Sequence, residues 1–568
     1  MLHASPEKSG STLVPLWLNS SNALLHKVKF EFPAMLNPGP RTQKERLSWF
    51  LLLWNKFDGS EKDRLLTNMR RLTSKGYFEG MGASMQLWCM MFTGANRFLK
   101  DPIHHTTTNV TEIDNKKLEF LQNFKQEHTA KHIHPNIFHR LPPKMKKQFE
   151  RMRPCKRTSL LGKKAANLNI ADFLKERYEC SPSTMALSPC LCHPKRLCPV
   201  SPDLFDCEPE TEEKLTIVTT GVPCVGNTSM NQVAGGDGDT SHQAASLFYG
   251  ERSWLREVLV VLENTPRYCG GLLGENLTDT HTTYRVDVLG RQFGDGVDRG
   301  RMDAVALINT WRFTKPLELL MLDCAASVEM SVGDFWSEDT RGSLAESEEL
   351  AKTRVTPVSP LDQLEWTDLL LPSQKQRMQH YQDQFDIRSK QSVGSNQNHE
   401  AGIFDLNQNP EVGRGRVSSD RVGALMPTFL KHGTLWHSEK SSPLLAIDQA
   451  KAHGWPVEPN EMEEFGAVIS LRDCLVSGMM KRKELVRWLG DSWNIRSQGL
   501  VLMWILAHVE PVSRSYSLHN SVRLVVSIDD EHVEDLGALS ENELDEDTDG
   551  GDNCVFDIEL VSICSDSS

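Results

Sequence analysis

An α/β fold on a doubly wound sheet is what this sequence predicts, and three observations predict it. VLVVLEN (258–264) is a continuous apolar run, the pattern of a strand buried on both faces of a parallel sheet. Strand-like and helix-like segments alternate between 214 and 309, as crossover βαβ units require. The chain has 568 residues, 39% hydrophobic and 24% charged, which is enough for a large core and two to four domains of a soluble globular protein.

The elements follow in order. Residues 1–65 are an N-terminal extension whose one periodic stretch, RTQKERLSWFLLLWNKF (41–57), is expected as a packing helix. In 66–143, YFEGMG (77–82) is a Gly-containing turn, ASMQLWCMMFTGANRFL (83–99) a partly buried helix, and TTTNVTEID (106–114) a β-prone run ending in acids. Residues 144–213 break this pattern. They are basic at first, then rich in Pro, Ser and Cys, and read as an insertion. In 214–314, KLTIVTT (214–220), VLVVLEN, TYRVDVL (283–289) and DAVALIN (303–309) read as strands and AASLFYGERSWLREV (244–258) as a helix. Residues 315–425 form a second, smaller, polar region, with SVGSNQNHEAG (392–402) and EVGRGRVSSD (411–420) expected as loops or disorder. Residues 426–528 are helix-rich, and 529–568 form an acidic tail expected to be disordered.

Several classes of protein are disfavoured. The longest apolar runs, WFLLLW (49–54) and LVLMWILA (500–507), are far too short to span a membrane. MLHASPEKSG has no apolar signal-peptide core, so the protein is expected in the nucleus or cytoplasm and not outside the cell. Thirteen cysteines without a secretory signal point to reduced thiols. The net charge of −13 is unevenly spread: residues 529–568 carry 15 acids and no Lys or Arg, so residues 1–528 are left near +2. Ten basic residues and one acid, Glu150, lie between Arg140 and Lys164. That run is either a solvated face or a contact for a phosphate backbone.

Three features sit at predicted C-terminal strand ends, where open α/β sheets form their sites. Pro223-Cys224 follows KLTIVTT. Glu263-Asn264 closes VLVVLEN. FGDGVDRGRMDAVALI (293–308) carries Arg299 and Arg301 from a Gly-rich turn into a strand. Singly, each has an ordinary reading as a small buried thiol, a capping acid or a surface pair. Together and in this order they are harder to dismiss.

The order resembles that of the cytosine-5 methyltransferases, a family with a Pro-Cys loop, then Glu-Asn, then an Arg-x-Arg turn. Phe78-x-Gly80-x-Gly82 is similar to the family's first motif, which holds S-adenosylmethionine, and Glu112 is placed like the acid that binds the ribose hydroxyls. PLLAIDQAKAHGWP (443–456) resembles the ninth motif. LVRWLGDSWN (485–494) resembles the Gly-Asn-Ser motif, with Asp491 and Ser492 at the cofactor. The resemblance spans about residues 70–510, with gaps. It implies a Rossmann-like methyltransferase sheet with 315–425 as target-recognition region. There are departures: Val225 stands for the usual Gln after Pro-Cys, Thr228 for Ser, Val297 for Gln and Asp491 for Asn, and RRLTSKGY before Phe78 reads poorly as a strand.

The resemblance also implies a mechanism. Cytosine C5 is a poor nucleophile, and a Cys224 thiolate adding at C6 makes it enamine-like; a thiol adds readily and leaves again. Glu263 would share a proton with ring N3 and Arg301 would hold O2, with Arg299 supporting the loop or meeting a phosphate. The target base must be flipped out of a duplex, and GGDGD (235–239) could close over it. DNA is the expected partner. A tRNA cytosine-5 methyltransferase, or a catalytically inactive methyltransferase-like protein that binds nucleic acid, is the alternative, and no oligomeric state follows. A separate constellation, Cys190-Leu-Cys192-His193-x4-Cys198, offers zinc ligands at a spacing unlike a standard finger; free thiols in a loop are the other reading.

Overall fold

A computed structural model describes residues 26–30, 37–78, 80–123, 130–141, 143–152, 160–180, 187–201, 214–222, 242–266, 268, 271–297, 299–336, 340–354, 365–391, 401–407, 417–419, 434–512 and 556–560. Cys224, Val225, Thr228 and the GGDGD loop lie outside them. Two compact units are present, residues 33–513 and a small one drawn from 1–32 and 514–568. The strands in chain order are β1 (His26–Phe30), β2 (Leu72–Tyr77), β3 (Asn109–Thr111), β4 (His132–His134), β5 (Leu187–Pro189), β6 (Leu197–Pro199), β7 (Leu215–Thr220), β8 (Leu259–Asn264), β9 (His281–Leu289), β10 (Gly300–Ile308), β11 (Trp311–Phe313), β12 (Gly402–Asp405), β13 (Val417–Ser419), β14 (Leu435–His437), β15 (Ser442–Pro443), β16 (Val509–Pro511) and β17 (Phe556–Leu560).

The larger unit is built on a seven-stranded sheet of order β4-β3-β2-β7-β8-β10-β9. The pairs from β4 to β8 are parallel, and β10 runs antiparallel to both its neighbours. This is the doubly wound, Rossmann-like arrangement. The reversal has a local cause: the link from β9 to β10, residues 290–299, is shorter than the dozen or so residues a parallel crossover needs. VLVVLEN therefore lies in the middle of the sheet, parallel to β7 on one side but antiparallel to β10 on the other.

Both faces are covered, which is why β8 reads as an unbroken apolar run. Leu259 and Val261 pack into one core cluster, with the helices Trp49–Lys56, Ala83–Asn96 and Ile495–His508. Val260 and Leu262 pack into the other, with Leu160–Cys180, His242–Leu255 and Gly271–Leu277. The helix Ile495–His508, which contains LVLMWILA, is buried at every position, so its apolarity serves the core. Among the described residues no helix is long and apolar enough to cross a membrane.

Three elements differ from the sequence expectation. RRLTSKGY yields β2, a central strand between β3 and β7. Its hydrophobic signal is weak because its buried polar groups are paired within the fold: Lys75 Nζ lies 2.5 Å from Ser201 Oγ and 3.4 Å from Glu257, and Ser74 Oγ lies 2.8 Å from His105 Nε2. Within the expected loop EVGRGRVSSD, Val417–Ser419 forms β13 of a four-stranded sheet, β13-β12-β14-β15, that draws strands from both sides of residue 425. Phe556–Leu560, expected in a disordered tail, is β17 and pairs antiparallel with β1 in the small unit.

Candidate functional site

The C-terminal ends of the parallel strands β2, β3, β7 and β8 lie along one edge of the sheet, where open α/β sheets form their sites. After β2, Phe78 (φ +54°), Gly80 (+61°) and Gly82 (+79°) adopt left-handed backbone before the helix Ala83–Asn96. A β-carbon at either glycine is strained for that reason alone. Phe78, a bulky residue in the same region, is held there by its N–H donating to the Thr111 carbonyl (2.8 Å).

Glu112 follows β3 and is buried. Its carboxylate accepts the Gly80 N–H at 2.8 Å on one oxygen, and the Ile113 and Asp114 N–H groups at 2.8 and 3.0 Å on the other. The acid thus pins the glycine turn. A carboxylate has about four acceptor sites, so one remains for a further donor. Across from it, Asp491 Oδ2 is 3.7 Å from Lys117 Nζ.

Tyr77, Phe78, Ala83, Ser84, Gly221, Asp491, Ser492 and Trp493 line a cleft with about 230 Å3 of empty space including its mouth. The buried Trp493 indole closes one wall. A β-carbon built at Gly221 would sit 3.5 Å from Trp493 Nε1, 3.8 Å from the Phe78 carbonyl oxygen and 4.0 Å from Glu263 Oε2. The glycine turn, the Gly490-Asp491-Ser492-Trp493 segment, the end of β7 and the end of β8 therefore converge on one point.

Arg299 is buried, and its guanidinium donates to the carbonyls of Gly490 (3.1 Å) and Ser492 (2.6 Å). It anchors that segment and does not face solvent. Arg301 pairs with Glu263, Nε to Oε1 2.5 Å. Asn264 donates to the Val222 carbonyl (3.1 Å), tying β8 to the residue that precedes Pro223-Cys224.

Two groups here carried no readable sequence signal. Asp303, fully buried and opposite Glu263 in the β8–β10 register, is pushed well above the ordinary carboxyl value by burial and then by the Glu263 charge. His453 is pushed well below the ordinary imidazole value by burial and by Arg299, Arg301 and Arg46, so it is neutral. The turn before Arg299 is itself fixed: Asp295 accepts from Arg46 Nε (2.8 Å) and from Asn494 Nδ2 (2.9 Å).

Other candidates sit elsewhere. Cys190, His193 and Cys198 come together, but their fourth neighbour is His132 of β4 and not Cys192. Cys192 is exposed and its thiol donates to the Ala130 carbonyl. Arg140, first of the basic run, is also corrected: it is buried and paired with Glu251, while Lys144, Lys146, Lys147 and Arg151 on the helix Pro143–Met152 are exposed or nearly so.

No family model and no curated protein matches the chain. Solved structures do. An E. coli prophage protein assigned as a DNA modification methyltransferase is 12% identical, over 77% of this chain and 97% of its own, with a TM-score of 0.36. The Entamoeba histolytica methyltransferase EhMeth is 10% identical, over 76% and 97%, with a TM-score of 0.33. Spodoptera frugiperda DNMT2 is 11% identical, over 76% and 99%, also at 0.33.

Proposed function

We propose that this chain transfers a methyl group from S-adenosylmethionine to C5 of cytosine in DNA, through a covalent adduct on Cys224. The observation that carries the reading is the convergence at Gly221 of Phe78, Trp493 and Glu263, three residues before Cys224 in the chain. Val222 is held by Asn264, and two residues of chain reach at most about 7 Å. Cys224 itself lies outside the described residues, and the reading rests on its place in the chain two residues after Val222.

The residues at the cleft suit the cofactor in kind. Glu112 keeps an acceptor site for a ribose hydroxyl, Asp491 offers negative charge to a cationic amino acid moiety, and the left-handed turn at Gly80 and Gly82 brings backbone close to a ligand. When bound, S-adenosylmethionine supplies the electrophilic methyl group. The Cys224 thiolate forms a bond to C6, and the electron pair released makes C5 the nucleophile. After the methyl is accepted, the C5 proton passes to water, its electron pair re-forms the C5–C6 double bond, and the sulfur–carbon bond breaks with its pair returning to the Cys224 thiolate. Glu263 faces N3 and Arg301 faces O2 of a flipped base, so charge that builds on the ring during addition meets a proton partner and a cation.

A second reading, nucleic-acid binding without catalysis, is favoured by the Trp493 indole in the cleft wall. One experiment separates the two. A DNA oligonucleotide carrying 5-fluorocytosine, incubated with S-adenosylmethionine, is expected to form a covalent complex with the wild-type chain and none with Cys224→Ser. Trapping that survives the substitution removes Cys224 as nucleophile. No trapping with wild type, together with no cofactor binding by calorimetry, leaves the non-catalytic reading, and trapping on an RNA oligonucleotide alone moves the substrate to RNA.

A further inference from the structure

A second candidate site joins the inserted segment to the edge of the main sheet. His132 opens β4, the edge strand of the main sheet. Cys190 and His193 lie in the turn between β5 and β6, and Cys198 lies on β6. One ligand atom from each, Nδ1 or Nε2 from histidine and Sγ from cysteine, falls within 4.8 Å of all the others. Cys190 and Cys198 are buried and the two histidines half-buried.

The distances are those of ligands around a metal. A zinc ion holds sulfur at about 2.3 Å and nitrogen at about 2.0–2.1 Å, so at a tetrahedral angle a sulfur and a nitrogen ligand stand about 3.6 Å apart. The observed separations are 3.3 Å from Cys198 Sγ to His193 Nδ1, 3.5 Å from Cys190 Sγ to His193 Nδ1, and 3.8 Å from Cys190 Sγ to His132 Nδ1. Two thiols and two imidazoles are the donor set of structural zinc, and a closed set of four leaves no position for substrate.

We infer that His132, Cys190, His193 and Cys198 form a structural zinc site that clamps the insertion to the edge of the sheet. The hairpin already follows that edge. Leu191 N donates to the Ile133 carbonyl (2.8 Å), His134 Nδ1 lies 3.0 Å from the Pro189 carbonyl, and Asn109 Nδ2 donates to the Val200 carbonyl (2.7 Å). These contacts cover an otherwise open strand edge. The metal adds a cross-link over 66 residues of chain between His132 and Cys198, which includes the basic helix Pro143–Met152. Its role is to hold the β5–β6 hairpin against the edge strand β4, separately from the chemistry proposed above.

The test uses full-length reduced protein and elemental analysis. One zinc per chain is expected for wild type, and loss of zinc is expected for His132→Ala, Cys190→Ser and Cys198→Ser. Cys192→Ser is expected to keep its zinc. Cobalt(II) exchanged into wild type should give the intense visible bands of a tetrahedral site and a thiolate charge-transfer band set by two sulfurs. His132→Cys should retain the metal with that band about 1.5-fold stronger, since three thiolates replace two, so a variant that merely fails to fold is told apart from a lost ligand. Wild type without bound zinc after incubation with zinc, or zinc retained by His132→Ala and lost by Cys192→Ser, overturns the assignment.

Discussion

At the scale of single residues, the site is a set of buried groups whose partners are mostly backbone. Glu112 spends three acceptor positions on the Gly80, Ile113 and Asp114 N–H groups, and Arg299 spends its donors on the carbonyls of Gly490 and Ser492. Such residues fix the shape of the cleft before any ligand arrives. Trp493 is the bulkiest side chain lining it, with its Nε1 toward Gly221. Trp493→Val removes a large ring from the wall and opens the cleft toward Glu263. If this is the cofactor site, affinity for S-adenosylmethionine measured by calorimetry should rise by about tenfold, or about 1.4 kcal/mol. Weaker binding would mean that the indole itself touches the ligand, and unchanged binding would place the cofactor elsewhere.

At the scale of elements, the weakest-looking strand is held by charges. On the helix His242–Leu255, Glu251 is paired with Arg140 and Arg252 and accepts the hydroxyl of Tyr77 of β2 at 2.9 Å, while Arg252 also pairs with Glu257. Every member of this network is buried. Removing one partner leaves the others unpaired in the interior, so Glu251→Ala should cost about 3–5 kcal/mol in denaturant unfolding. The network is also pH-dependent. Burial alone would raise the Glu251 carboxyl, but the Arg140 and Arg252 guanidiniums prevail and hold it below its ordinary 4.5. A depressed carboxyl contributes stability above the unfolded value, and that contribution is lost as pH falls through the folded one. Wild type should therefore lose stability steeply below about pH 4.5, and Glu251→Gln should show a lower plateau with a shallower acid limb. Parallel acid limbs would exclude Glu251 as the titrating group.

At the scale of the whole molecule, charge is separated along the chain. The last 40 residues hold 15 acids, and the remainder is near +2 with Lys144, Lys146, Lys147 and Arg151 on one helix. The prediction is that a tail of that charge competes with phosphate for basic surface. Deleting 529–568 should tighten DNA binding at low salt and steepen the dependence of log affinity on log salt, by about 0.9 for each further phosphate that the uncovered surface neutralises. The difference should shrink near 0.15 M ionic strength, where the Debye length is about 8 Å. Fluorescence anisotropy on full-length and truncated chains reads both quantities. Identical affinities and slopes would leave the tail a solubility role.

Much of the frame was legible in the linear sequence. KLTIVTT, VLVVLEN, TYRVDVL and DAVALIN are strands, and the helices beginning at Ala83 and His242 lie where periodicity put them, because apolar burial repeats at short intervals that a sequence displays. The order of Phe78-x-Gly80-x-Gly82, Glu263-Asn264 and Arg299-x-Arg301 was legible for the same reason: each is a local pattern. What only tertiary structure decided depends on partners far apart in the chain. β2 reads as polar because Lys75 and Ser74 find Ser201, Glu257 and His105 only in the fold. The direction of β10 follows from the length of one loop. Asp303 and His453 are perturbed by charges brought together from separate elements. His132 joins Cys190, His193 and Cys198 across 58 residues or more, and no spacing rule reaches that far. Local periodicity writes elements into a sequence, but a site is a meeting of strand ends, and its geometry exists only once the sheet has formed.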